Sequence, residues 1–170
     1  FDGSNAFAVT YSTVPLNGSE GSVLIWTDGL ETGGSDRLLQ TDDDPDGNPD
    51  AGYEIIIDSS SDFRVLHRFG SGGGDFSEAI DTSTSLDFGS DDLLWALLFN
   101  GDNSRILIYD GDGKQVDVSG TGQRATGDRR LTLFAGNSDY LGGIGDNLAA
   151  SSTTELSESD VEDFWNATKR

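Results

Sequence analysis

Nine short apolar runs, each set off by Gly, Ser, Asn or Asp, restrict what this chain can fold into. They are FAVTY from Phe7, SVLIWT from Ser22, RLLQT from Arg37, YEIIID from Tyr53, FRVLHRF from Phe63, LLWALLF from Leu93, RILIYD from Arg105, KQVDV from Lys114 and RLTLFAG from Arg130. Each has the length of a strand, is rich in β-branched and aromatic residues, and is bounded by turn formers. NGDNS, after LLWALLF, and GDG, after Tyr109, read as hairpin loops. Many short strands with no helical interludes define an all-β antiparallel sandwich or barrel. No internal repeat is visible, and GSGGGD from Gly70 reads as a surface loop rather than a linker. A chain of 170 residues is then one domain, 1–170, long enough to bury a core.

One segment breaks the strand pattern. In LSESDVEDFWNATKR, Ser157 is a good N-cap and Asp160, three residues on, takes the place of the Glu or Gln of a capping box. Leu156 and Val161 occupy the two positions of a hydrophobic staple. Val161, Phe164 and Trp165 form an apolar stripe at helical spacing, and Lys169 and Arg170 follow near the negative end of the helix dipole. This predicts a short C-terminal helix docked on the sandwich.

Charge sets the surroundings. Asp and Glu number 31 against 10 Lys and Arg, a net charge of −21, and lysine occurs only at Lys114 and Lys169. Such a surface repels nucleic acid and anionic membrane, so neither is an expected partner. Self-repulsion on this scale is relieved by salt, which shortens the Debye length to about 3 Å at 1 M. Aspartate-rich, lysine-poor composition therefore points to a halophilic source. There is no cysteine, which excludes disulfides and thiolate chemistry. No apolar run reaches the roughly 18 residues of a membrane span and no signal peptide is evident, so no membrane insertion is expected. A start at Phe1 and the absence of methionine read as a piece of a longer polypeptide.

Across nearly its whole length the chain resembles the laminin-G-like, concanavalin A-like jelly-roll domains. FDGSNAFAV is similar to the opening strand of that family, and GSVLIWT, with Trp26, to its second. DDLLWALLFNGDNSRILIYDGDGK resembles the tryptophan strand, hairpin and following Y-x-D-G strand, carried here by Trp95, Tyr109, Asp110 and Gly111. The segment from Leu131 to Trp165 resembles the closing block, in which a G-x-I-D strand precedes a terminal helix. In GGIGDN, Gly145 stands where the family has aspartate, or one residue is inserted and Asp146 takes that role. The resemblance implies a jelly-roll β-sandwich that binds glycans or proteins, often with calcium; some relatives are glycoside hydrolases.

Three stretches bear on chemistry. In TDDDPDGNPDAG, Asp42, Asp44, Asp46, Gly47, Asn48 and Asp50 follow the first two-thirds of a D-x-D-x-D-G calcium loop. Alternate acids turn successive carboxylates toward a hard cation and Gly47 permits the sharp turn, so Asp42, Asp44, Asp46, Asn48 and Asp50 are the expected calcium ligands. Tyr53 falls where the twelfth-position glutamate belongs, so the alternative is a solvated acidic turn. Arg64 and Arg68 share one face of a strand and, in a chain so poor in cations, are the expected ligand-binding residues; Arg124, Arg129 and Arg130 form a second group. Arginine pairs bidentately with carboxylate or sulfate, which suits an acidic glycan, and it equally neutralises neighbouring aspartates. In ESDVE, Glu158, Asp160 and Glu162 have the alternation of a glycosidase strand. The same letters open the capped helix, which is the preferred reading. His67, alone of its kind, alternates with Phe63, Val65 and Phe69 as a packed residue rather than a base. No G-x-S-x-G motif supplies a nucleophile. Asn17 and Asn166 begin N-x-S/T glycosylation patterns, at a frequency close to chance in so Ser/Thr-rich a chain.

The sequence thus predicts a non-catalytic adhesion module on a cell or virion surface, binding a surface glycan or protein beside sister chains of a larger assembly. A structural decoration or spacer domain and a glycoside hydrolase are the alternatives. The charge balance gives the first test. Thermal midpoints should rise steeply from dilute buffer to molar KCl, and midpoints that stay fixed would contradict the halophilic reading.

Overall fold

The computed structural model describes the backbone of residues 8–9, 20–31, 36–42, 52–57, 62–68, 76–83, 86, 92–100, 103–121, 130–135, 142–151 and 154–169. Side chains are described for 20–29, 92–100, 103–120 and 154–169, with Leu38, Leu86 and Ala149. Eleven strands and one helix lie in these segments. The strands are β1 (Ala8–Val9), β2 (Glu20–Glu31), β3 (Asp36–Asp42), β4 (Gly52–Ile57), β5 (Asp62–Arg68), β6 (Phe76–Ser83), β7 (Leu93–Asn100), β8 (Asn103–Asp110), β9 (Gly113–Thr121), β10 (Arg130–Ala135) and β11 (Gly142–Ser151). The helix, α1, is Glu158–Thr168. All nine apolar runs fall on strands, and β6 and β11 are additional.

Every strand pair is antiparallel. One sheet has the order β1-β10-β3-β4-β5-β6 and the other β11-β2-β7-β8-β9. Two meanders, β3 to β6 and β7 to β9, are joined by crossings that set β10 beside β3 and β2 beside β7. This is the jelly-roll β-sandwich with a C-terminal helix that the sequence predicts.

The continuous apolar run LLWALLF marks a strand buried on both sides. Leu93 to Phe99 are all at 1 % exposure or less. On one face Trp95 lies across from Ile25 and Ile108, and Leu97 across from Val23 and Ile106, forming the layer turned toward the other sheet. The Trp95 indole donates to Thr27 Oγ1 at 2.9 Å, so a buried N–H is not left unpaired. On the opposite face Leu24, Trp26, Leu94, Ala96, Leu98, Leu107 and Tyr109 gather with Val161 and Trp165 of α1.

The capping box is present as expected. Ser157 Oγ accepts from the Asp160 amide at 3.2 Å, and the Ser157 amide donates to Asp160 Oδ2 at 2.9 Å. The Ser157 hydroxyl also donates to Asp160 Oδ2, and this bond, then the Ser157 amide, holds the Asp160 carboxyl below its usual range. Val161 and Trp165 are buried, with Leu156 and Phe164 packed at the margin. Full burial of two such side chains contributes about 1.5–3 kcal/mol each, enough to hold a helix too short to be stable alone.

The burial of Trp95 makes a prediction about stability. Trp95→Ala should cost about 3–5 kcal/mol in denaturant unfolding, by lost transfer energy and a cavity that cannot collapse. A loss under about 1 kcal/mol would be inconsistent with its place at the centre of the sandwich.

Candidate functional site

Arg64 and Arg68, both on β5, occupy same-face positions because strand side chains alternate with period 2. Register sets Arg64 beside Ile56 of β4 and Asp81 of β6, and Arg68 beside Gly52 and Phe76. An opposite-charge neighbour across the strand contributes about 0.2–1 kcal/mol, so Arg64 has a partner position in Asp81. Arg130 opens β10 directly opposite Asp42, while Arg124 and Arg129 lie outside the described residues. Asp42 is the last residue of β3, and Asp44, Asp46, Asn48 and Asp50 lie outside the described residues, in the connection from β3 to its neighbour β4. Among the described residues no group of three or more His, Cys, Asp or Glu could hold a metal. His67 sits on β5 between Tyr53 and Glu78. Asn17 lies outside the described residues, and Asn166 is exposed on α1.

Glu158, Asp160 and Glu162 lie on α1 rather than on a strand, so they do not line one strand face as glycosidase acids. Glu158 instead joins a cluster that sequence reasoning missed. Arg105 of β8 grips Asp117 of β9 in bidentate fashion, Nε at 2.7 Å and Nη2 at 2.6 Å, and Nη2 also lies 2.6 Å from Glu158. Lys114 Nζ reaches Asp117 Oδ2 at 2.8 Å and donates to Glu158 Oε1.

A local irregularity makes this quartet possible. Residues three apart on a strand ordinarily point to opposite faces. Between Ile108 and Tyr109 the β8–β9 register shifts: Ile108 pairs with Val116 and Tyr109 with Lys114, leaving Gln115 as the extra residue of a bulge. The bulge turns Lys114 onto the face of Asp117, under the start of α1. The turn before it is fixed by Asp110, whose Oδ1 accepts from the amides of Asp112 at 2.8 Å and Gly113 at 3.2 Å, and from Gln115 Nε2 at 3.0 Å. Gly113 closes the turn at φ 123°, a conformation strained for any other residue.

The far end of α1 is held differently. Trp165 Nε1 donates to the Asp110 carbonyl at 3.0 Å, and its ring lies 5.6 Å from that of Tyr109. Lys169 Nζ sits 4.1 Å above the Trp165 ring. Trp26 Nε1 donates to Thr168 Oγ1 at 3.0 Å. Upstream, buried Ser22 does two jobs: its hydroxyl donates to the Thr154 carbonyl at 3.1 Å and accepts from the Leu156 amide at 2.8 Å. The outer face of the five-stranded sheet is therefore closed by α1. The six-stranded sheet, with Arg64 and Arg68, carries no helix among the described residues.

The quartet polarises its members. The Arg105 hydrogen bond, with Lys114 behind it, holds Asp117 down at about 2. Lys114 and then Arg105 lower Glu158. Asp117, then Glu158, raises both Lys114 and Arg105, and burial raises the Tyr109 hydroxyl.

No protein-family model and no curated protein matches the sequence. Solved structures do match its fold. The enzymatically active domain of bacteriophage CBA120 tailspike protein 2 superposes with a TM-score of 0.67 at 14% identity, over 96% of this chain and 26% of that one. The binding domain of botulinum neurotoxin DC, in complex with SialylT, gives 0.61 at 13% identity, over 97% and 41%. The exoplasmic/lumenal domain of VIP36, in its Ca2+/Man3GlcNAc-bound form, gives 0.62 at 13% identity, over 95% and 80%. The chain thus spans about a quarter of the tailspike chain and under half of the toxin's. The tailspike, toxin and VIP36 domains share this antiparallel β-sandwich, and the likeness is one of fold.

Acid should loosen the helix. Both quartet carboxylates have folded values below their unfolded ones, so their contribution is complete above about pH 5 and is lost as pH falls through about 2 for Asp117. Raised Lys114 and Arg105 contribute throughout that range and lose their share only in strong alkali. Near-ultraviolet dichroism of the tryptophans should change between about pH 5 and 2, and Asp117→Asn should flatten that change. An unaltered acid profile in this variant would remove Asp117 from the cause.

Proposed function

We propose that this domain is a non-catalytic binding module displayed on the outer surface of a cell or virion, engaging a surface glycan or protein through the six-stranded sheet. One observation carries the reading. α1 seals the outer face of the five-stranded sheet, and among the described residues the sheet bearing Arg64 and Arg68 carries no helix. In a chain of net charge −21, two arginines on one strand face form a local site for a carboxylate or sulfate group, as on an acidic sugar. The fold neighbours support a glycan partner: the toxin domain holds SialylT and VIP36 holds Man3GlcNAc with calcium. The tailspike neighbour is described as enzymatically active. The acid trio offered by this sequence for hydrolysis lies on a helix, with Glu158 bound by Arg105 and Lys114 and Asp160 by Ser157. Calcium belongs to the same proposal, with Asp42, Asp44, Asp46, Asn48 and Asp50 as its ligands in the connection from β3 to β4.

Titration of sialylated, sulfated and neutral glycans should show the acidic ones bound. Arg64→Ala with Arg68→Ala should weaken binding about tenfold or more, roughly 1.4 kcal/mol, while the lost Arg64–Asp81 neighbour costs the fold no more than about 1 kcal/mol. Calcium at about a hundredfold excess over its dissociation constant should stabilise the fold by about 2.7 kcal/mol, reversed by chelator and abolished by Asp44→Asn with Asp46→Asn. No binding to any glycan or to intact cells would favour the structural role, and release of reducing sugars would favour the hydrolase.

A further inference from the structure

The charge on α1 and the charge on the body beneath it have the same sign. Glu158, Asp160, Glu162 and Asp163 give the helix −4 with no cation inside Glu158–Thr168, which leaves −17 of the total −21 on the rest of the chain. Glu162 and Asp163 are exposed and belong to no described ion pair. Local cations at the two ends meet this repulsion: Arg105 and Lys114 at the start, and Lys169, over Trp165, at the finish.

The opposing forces have different ranges, and that decides how salt acts. The pairs of Arg105 with Asp117 and Glu158 are at 2.6 Å, and that of Lys114 with Asp117 is at 2.8 Å. Such contacts lie within the screening length even at 1 M, where it is about 3 Å. Repulsion between helix and body acts over many ångströms: it is nearly unscreened at 0.01 M, where the length is about 30 Å, and removed at 1 M. Raising salt therefore removes the long-range repulsion while weakening the contact pairs less.

We infer that the C-terminal segment 154–169 is a salt-set strap, which undocks from the five-stranded sheet at low ionic strength before the sandwich unfolds and re-docks as salt rises. Undocking uncovers Leu24, Trp26, Leu94, Ala96, Leu107 and Tyr109, an apolar and aromatic face that the docked helix hides. Polar latches border that face: Ser22 on Thr154 and Leu156, Asn100 on Glu155 at 3.0 Å, and Trp26 on Thr168. Water replaces each of them without stranding a buried charge, so the helix can leave as a unit. This inference is independent of the glycan reading.

Amide hydrogen exchange of the full chain at about 0.01 M and about 1 M KCl tests it, the two sides of the screening change. At low salt the amides of 158–168 should exchange about tenfold or more faster relative to those of β7 and β8, and molar salt should restore their protection. Glu162→Gln with Asp163→Asn, two exposed changes, should move the docking midpoint to lower salt; Lys114→Met should move it higher. Helix amides that stay as protected as β7 at low salt would overturn the inference. So would loss of protection in helix and strands together, or a midpoint that the neutralised variant leaves in place.

Discussion

A strand with no polar face needs two covers, and the described part of this molecule is organised around that requirement. Antiparallel sheets commonly bury one face and leave the other to water. β7 cannot, because Leu94, Ala96 and Leu98 are as apolar as Leu93, Trp95 and Leu97. One set is turned toward the second sheet. The other set, with Trp26 and Tyr109 from the flanking strands, is enclosed only when α1 is docked. The helix is therefore a structural partner of the sheet, and the hairpin, bulge and ion quartet around it fix where it lies.

Magnitudes separate the roles of these contacts. The quartet side chains are between 31% and 41% exposed, and ion pairs of that kind are typically worth about 0–1 kcal/mol. Burial of Val161 and Trp165 supplies more. The apolar stripe thus provides the affinity of helix for sheet, while the quartet, Ser22 and the two indole hydrogen bonds set its register and direction.

Strands were legible where the apolar content of each run exceeds that of its flanks, and the capping box, staple and stripe specified α1 almost to the residue. β6 was missed because FSEAIDTS offers only Phe76, Ala79 and Ile80 among polar neighbours and follows a glycine tract. β11, GGIGDNLAAS, was visible only through resemblance, and its register shifts on both sides of Ile144 to Asp146 interrupt the alternation that would have marked it. The quartet was hidden for a different reason. Arg105 pairs with Asp117 diagonally across β8 and β9, Lys114 reaches it only through the bulge, and Glu158 arrives from a helix more than forty residues later. None of these relations is a spacing in the chain. Arg64 and Arg68 were placed on one strand face from alternation alone, and the register then added Asp81 as a neighbour of Arg64.

Both lysines serve the same helix, one at each end. Reagents that target the lysine ε-amine, such as succinimidyl esters, aldehydes and amine-coupled sensor surfaces, therefore meet this protein at its helix-covered side. Immobilisation through lysine would set α1 and the five-stranded sheet toward the support and the six-stranded sheet away from it. It would also neutralise or crowd the cations that flank α1, so an amine-coupled sample would differ at its C-terminal end from the protein in free solution.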